Sequence, residues 1–206
     1  MGHKIIAWDF DGVLNRNIVD GKFVWAANFD ADLGASGAEF SEFVFKSGRF
    51  ADVLVGIRDI RDVVSEWLAQ STCHWQADEV LDYWFSKDAV PDARSIALLE
   101  RARGVGLTNV LATNNERRRA SYIEHKMGFG EHVQRIFAAG PMGCKKPDTA
   151  FYRMIEAELG ATPGDIFLVD DTAENVAAAC AAGWTGFLFH EGDYAGLEEA
   201  LFFQDK

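Results

Sequence analysis

Apolar positions in this chain gather into short unbroken runs, and the stretches between them carry apolar residues at helical spacing. Lys4 to Trp8, Leu107 to Ala112, Arg135 to Ala139, Ile166 to Val169 and Trp184 to Phe189 each read as a buried strand. Helices are predicted after Pro91 through Ile96 and Leu99, then through Ala120, Ile123 and Met127, through Phe151, Met154, Ile155 and Leu159, and over Ala173 to Ala182. Parallel strands are covered on both faces and joined by crossover helices, so they appear as continuous apolar runs. The alternation from Pro91 onward predicts an α/β fold on an open, doubly wound parallel sheet.

Residues 15–90 break this rhythm. No clear strand signal occurs there, while Ile60, Val63, Val64, Trp67 and Leu68, then Ala77, Val80, Leu81, Trp84 and Phe85, mark amphipathic helices. This interval holds 12 of the 26 aromatic residues, enough for a small core of its own. The expected organisation is an α/β core from 1–14 and 91–206 with an inserted α-helical cap from 15–90. Short joints near 14–17 and 87–91 permit hinge closure. The sequence contains no internal repeat.

The formal net charge of -12 disfavours binding to nucleic acid, which depends on neutralising phosphates with Lys and Arg. Any anionic ligand must be met by a local cation. An apolar share of 49% with 25% charged residues excludes a disordered chain. Cys73, Cys144 and Cys180 fit neither a disulfide framework nor a zinc motif, and buried reduced thiols are expected. The longest low-charge apolar run, Val176 to Phe189, is 14 residues and too short to span a bilayer. With no export pattern at the N-terminus, a cytoplasmic protein without a membrane or nucleic-acid partner is expected, as a monomer or homodimer. The five histidines show no ligand spacing, and Arg117-Arg118-Arg119 reads as a solvated helix face.

In open parallel sheets ligands bind beyond the carboxyl ends of the strands. Asp9-Phe10-Asp11-Gly12 follows the first predicted strand, Thr113-Asn114-Asn115 the second and Asp170-Asp171 the fourth, while Lys145-Lys146-Pro147 precedes a helix between the last two. Crowded carboxylates raise one another's pKa unless a cation neutralises them. Hard oxygen donors with an open face suit Mg²⁺, which takes a substrate phosphate oxygen as a further ligand. In this reading Asp9 is both metal ligand and nucleophile, and Asp11 protonates the leaving oxygen and later deprotonates water. Lys146 screens Asp9 from the incoming dianion. Thr113, Asn114, Lys146 and nearby backbone N–H groups hold the phosphoryl oxygens. In the cap, Phe23, Trp25, Arg49 and Trp84 are candidates to face a substrate, although aromatics at helical spacing are more often core.

Four stretches together resemble the haloacid dehalogenase-like (HAD) superfamily of hydrolases. They are Ile5 to Leu14 around Asp9-Phe10-Asp11-Gly12, Val110 to Asn114, Gly143 to Asp148 around Lys145-Lys146-Pro147, and Phe167 to Asn175 around Asp170-Asp171, with Ala178 and Gly183 beyond. The resemblance implies a Rossmann-like core and a Mg²⁺-dependent phosphoryl-transfer site. It implies Asp9 as nucleophile, Asp11 as acid/base and as metal ligand through its backbone carbonyl, Asp171 as direct ligand, and Asp170 acting through water or as a second ligand. Residues 15–90 resemble the family's helical cap, and the acidic pair followed by Asn175 is similar to the branch of small sugar phosphatases and epoxide-hydrolase N-domains. Asn15, Lys145 and Thr149 depart from the family pattern, and Lys145 leaves the lysine assignment ambiguous by one residue. Lys146 is favoured because it directly precedes Pro147. The expected activity is hydrolysis of a small phosphate monoester, a sugar phosphate or similar phosphorylated metabolite, through an aspartyl-phosphate. Phosphomutase, 2-haloacid dehalogenase and a non-catalytic partner protein are the alternatives.

Overall fold

A computed structural model describes residues 3–19 and 21–203. Strand β1 (Ile5–Trp8) is buried throughout and is followed directly by the first acidic loop. The insert then begins with a two-stranded antiparallel hairpin, β2 (Ile18–Val19) and β3 (Lys22–Phe23). This corrects the expectation of an insert without strands. Two-residue strands that are exposed on both faces leave no hydrophobic period to read.

The rest of the insert is helical, as α1 (Phe29–Leu33), α2 (Gly37–Ser41), α3 (Arg49–Leu54), α4 (Ile60–Leu68) and α5 (Ala77–Lys87). Trp25, Phe29, Phe40, Trp67 and Trp84 anchor an apolar cluster within it that is separate from those of the sheet. Edge-to-face ring pairs such as Phe40 on Trp67, at 4.9 Å, fill this small volume.

The chain returns to the sheet through α6 (Ala93–Gly104), started by Asp92, whose carboxylate accepts from the N–H groups of Arg94 and Ser95. It continues as β4 (Thr108–Thr113), α7 (Arg117–His125), β5 (Arg135–Ala138), α8 (Ala139–Met142), α9 (Thr149–Leu159), β6 (Ile166–Asp170), α10 (Ala173–Ala181), β7 (Thr185–Leu188) and α11 (Tyr194–Phe202). The five core strands form one parallel sheet in the order β5-β4-β1-β6-β7. Alternate residues of β1 enter opposite layers. Ile6 and Trp8 pack with Leu99, Ile123 and Leu197, whereas Ile5 and Ala7 pack with Phe151, Tyr152 and Ile155. Because β1 is central, its carboxyl end lies between those of β4 and β6.

Two further expectations are corrected. Cys73 is buried, but Cys144 is only partly so and Cys180 is exposed. The arginine run is not a solvated face. Arg117 is exposed, but Arg118 forms a bidentate pair with Asp59, and Arg119 is buried with hydrogen bonds to the carbonyls of Phe85 and Asp88. Among the described residues, no helix is long and apolar enough to cross a membrane.

Candidate active site

The apolar run of β1 ends at Asp9, whose N–H still donates to the Val169 carbonyl and so remains in register with β6. The chain then doubles back, with the N–H groups of Leu14 and Asn15 donating to the Phe10 carbonyl. Gly12 occupies this turn at φ 87°, and a Cβ there would run into the Asp171 carboxylate. Glycine alone meets both demands.

Lys146 sits at the centre of the acidic cluster. Its Nζ lies 2.9 Å from Asp9 Oδ1 and 2.6 Å from Asp170 Oδ2, and the residue is 1% exposed. Burial opposes its charge, but Asp9 and Asp170 outweigh burial and hold its pKa above the ordinary value. Lys145 is only partly buried, so of the two lysines it is Lys146 that reaches the acids. Asn114 fixes the lysine's backbone: its Nδ2 donates to the Lys146 carbonyl and its Oδ1 accepts from the Lys146 N–H, both at 2.9 Å.

Burial pushes the Asp9 carboxyl up to about 7, against the pull of Lys146 and with a further push from Asp170 and Asp171. Asp171 is raised as well, by burial and then by Asp170. Asp170 is fully buried, and its Oδ1 accepts from Thr172 N–H at 2.9 Å and Asn175 Nδ2 at 3.0 Å. Among the described residues, both protein donors on the Asp9 carboxylate, Phe10 N–H at 2.7 Å and Lys146 Nζ, fall on Oδ1. Carboxylate oxygens of Asp9, Asp170 and Asp171 lie within 4.8 Å of one another. Three hard oxygen donors at that spacing, with one shared lysine against several negative charges, fit a divalent cation such as Mg²⁺.

Asp11 stands apart from this trio and is held by amides. Its Oδ1 accepts from Asn15 Nδ2 at 2.8 Å and its Oδ2 from Asn115 Nδ2 at 3.0 Å, with Arg119 Nη2 4.0 Å from Oδ1. Asn115 Nδ2 also donates to Thr113 Oγ1 at 2.8 Å, so the buried Thr113 hydroxyl accepts there and keeps its own O–H to donate. Asn15 donates in addition to the Asp88 carbonyl and accepts from Val90 N–H, joining Asp11 to the chain leaving the insert. The sequence gives Asn115 no role beyond its place at a strand end, and marks neither Asp88 nor a buried role for Arg119. It marked Asn15 only as a departure from the family pattern, and that departure was the available signal.

A cavity of about 310 Å³ opens against the cluster, with Asp9, Asp11, Asn114 and Asp171 on one side and Phe23, Trp25 and Trp84 of the insert on the other. Arg49, the fourth cap candidate, instead places its guanidinium 4.0 Å from the centre of the Phe43 ring.

Residues 3–183 match the family described as haloacid dehalogenase-like hydrolase. The chain belongs to this family. A sesquiterpene phosphatase of Aspergillus oryzae is 34% identical to this HAD-like hydrolase over 101 residues, 47% of this chain and 49% of that protein. The chain spans about half the length, or less, of the curated relatives it matches. A HAD family enzyme of Bacteroides thetaiotaomicron, crystallised with magnesium and inorganic phosphate, superposes with a TM-score of 0.76 at 17% identity, covering 93% of this chain and 96% of that one. A HAD-like hydrolase of Porphyromonas gingivalis reaches 0.79 at 16% identity over the full length of both chains. At such identities the superpositions establish the HAD-like fold alone.

Proposed function

We propose that this HAD-like hydrolase is a Mg²⁺-dependent phosphatase acting on a small phosphate monoester through an aspartyl-phosphate intermediate. One observation carries the reading: a buried lysine bonds two carboxylates, with a third acid and a cavity beside them. A structural ion pair needs neither the extra acid nor the opening. The sesquiterpene phosphatase relative supports phosphate-ester chemistry over dehalogenation, which would also leave Asp11 without a task.

Asp9, Asp170 and Asp171, with the Asp11 backbone carbonyl, would hold the ion. Bound there, Mg²⁺ supplies positive charge to the phosphoryl oxygens and to the crowded acids. Lys146 favours the ionised form of Asp9 against burial, and Asn114 keeps Lys146 in place. Asp9 Oδ2, which no protein donor occupies among the described residues, attacks phosphorus. The bond from phosphorus to the ester oxygen breaks, and Asp11 passes its proton to the departing alkoxide. Water then gives a proton to Asp11 and its oxygen to phosphorus. The bond between phosphorus and Asp9 breaks, releasing inorganic phosphate and restoring the carboxylate.

Hydrolysis of p-nitrophenyl phosphate is expected with Mg²⁺, is lost reversibly with EDTA, and is lost in Asp9→Asn with the circular dichroism unchanged. Turnover that survives either treatment refutes the nucleophile and metal assignments. Inorganic phosphate as the product, rather than an isomeric sugar phosphate, separates hydrolysis from phosphomutase chemistry.

A further inference from the structure

We propose that the alcohol released at this site is apolar, so that the substrate class is hydrocarbon monophosphates rather than phosphorylated polyols. This rests on the phosphatase reading and deepens it. On the insert's side of the cavity Ile18, Phe23, Trp25, Phe45, Phe50 and Trp84 supply the apolar lining, with Asn17 and Asp88 the polar residues among them. The rings of Trp25, Phe45, Phe50 and Trp84 form one wall, with Phe45 5.0 Å from Phe50, 5.2 Å from Trp84 and 6.1 Å from Trp25 between centroids. At the rim, Phe23 is 46% exposed and Ile18 43% exposed, an apolar lip continuous with the acidic cluster.

The polar groups around this wall already have protein partners. Asp88 accepts from Trp84 Nε1 at 3.0 Å and from Trp25 N–H at 3.3 Å. Glu116 accepts from the N–H groups of Arg118 and Arg119, and the Arg119 guanidinium donates to the Phe85 and Asp88 carbonyls. Asn17 Oδ1 is the one buried side-chain acceptor here without a partner among the described residues. A hexose brings several hydroxyls and would leave most of them desolvated and unpaired against aromatic rings, which opposes binding. A hydrocarbon chain has no hydrogen bonds to lose on entering and gains with each methylene covered. Asn17 Oδ1 leaves room for a single hydroxyl on it.

The test is kcat/KM with Mg²⁺ for ethyl, butyl, octyl and geranyl phosphate against a hexose phosphate, alongside calorimetric binding of ethyl- and octylphosphonate. The expected gain is roughly fourfold per methylene that the cavity covers, with the hexose phosphate well below octyl phosphate. Phe23→Asp, at the exposed rim, is expected to collapse the octyl-to-ethyl ratio at least tenfold. A flat chain-length series, or preference for the hexose phosphate, overturns the inference and leaves the phosphatase reading standing. Absence of turnover on every ester, p-nitrophenyl phosphate included, overturns the phosphatase reading. In that event, equal binding of the two phosphonates removes the apolar subsite too.

Discussion

Lys146→Met replaces the central ammonium by an apolar side chain of similar length and leaves two buried carboxylates facing each other. At an effective dielectric of about 20, each contact of Lys146, 2.9 Å to Asp9 and 2.6 Å to Asp170, corresponds to about 6 kcal/mol of attraction. Desolvation offsets much of this, and removing one partner of a buried pair typically costs about 3–5 kcal/mol. The variant is therefore expected to lose about that much stability at pH 8 in EDTA. The loss depends on pH with a definite sign. Asp9 already has a raised pKa, near 7, and removing Lys146 removes the attraction that lowers it, so the variant's Asp9 titrates higher still. A carboxyl raised in the folded state contributes stability at low pH that is lost as pH rises through its folded pKa. The gap between wild type and variant should thus be narrower at pH 6 than at pH 8, by about 1.4 kcal/mol for each unit of additional shift within that window. Magnesium at a hundred times its dissociation constant should restore about 2.7 kcal/mol, without restoring turnover. Urea unfolding followed by tryptophan fluorescence, with EDTA or Mg²⁺ at both pH values, measures all of this. A loss that is equal at pH 6 and pH 8, in a variant whose own stability does not respond to magnesium, would show that the cluster is an ordinary structural ion pair.

Gly12→Ala should weaken Mg²⁺ binding at least tenfold by calorimetry, because the new Cβ displaces Asp171, and should cost about 1–2 kcal/mol for an L-residue at φ 87°; unchanged magnesium affinity counts against Asp171 as a ligand. Asp11→Asn should slow alkyl phosphates, which need a proton on the leaving oxygen, far more than p-nitrophenyl phosphate; steady-state kinetics on both esters decide it, and equal losses contradict the general-acid role. Asp88 is 3% exposed, and burial, opposed by Arg119 and Trp84 and joined by Asp11, pushes its carboxyl up to about 6. Its contribution to stability is full below its ordinary value of 3.8 and is lost as pH rises through about 6. Asp88→Asn should therefore gain on wild type by up to about 3 kcal/mol between pH 4 and pH 7 in denaturant unfolding, and a constant difference across that range refutes the burial of charge at this position.

The sheet was readable because its strands are parallel and covered on both faces. β4 and β6 begin and end within about one residue of the apolar runs that predict them, since a buried strand has no polar face to blur its ends. The acids were readable for the related reason that charge at the end of such a run interrupts the pattern, as at Asp9 and Asp170. The hairpin of β2 and β3 escaped notice because both strands lie in solvent. Arg119 escaped because its partners, the carbonyls of Phe85 and Asp88, belong to another unit of the chain and are backbone atoms, which composition does not register.

The amides are the least legible part of the site and organise most of it. Asn114 holds Lys146, Asn175 holds Asp170, and Asn15 with Asn115 holds both oxygens of Asp11. An amide offers a donor and an acceptor without adding charge, so it can orient carboxylates that are already crowded without altering the balance that a dication has to meet. A lysine or arginine in any of these places would neutralise the very charge that favours the metal, and an acid would add to the repulsion. In sequence an asparagine after a strand reads equally well as a turn former or helix cap. Their motifs mark Asn114 and Asn175 in the sequence, but what each amide holds follows only from partners that the fold brings to it, Lys146 lying 32 positions from Asn114 and Asp11 lying 104 from Asn115.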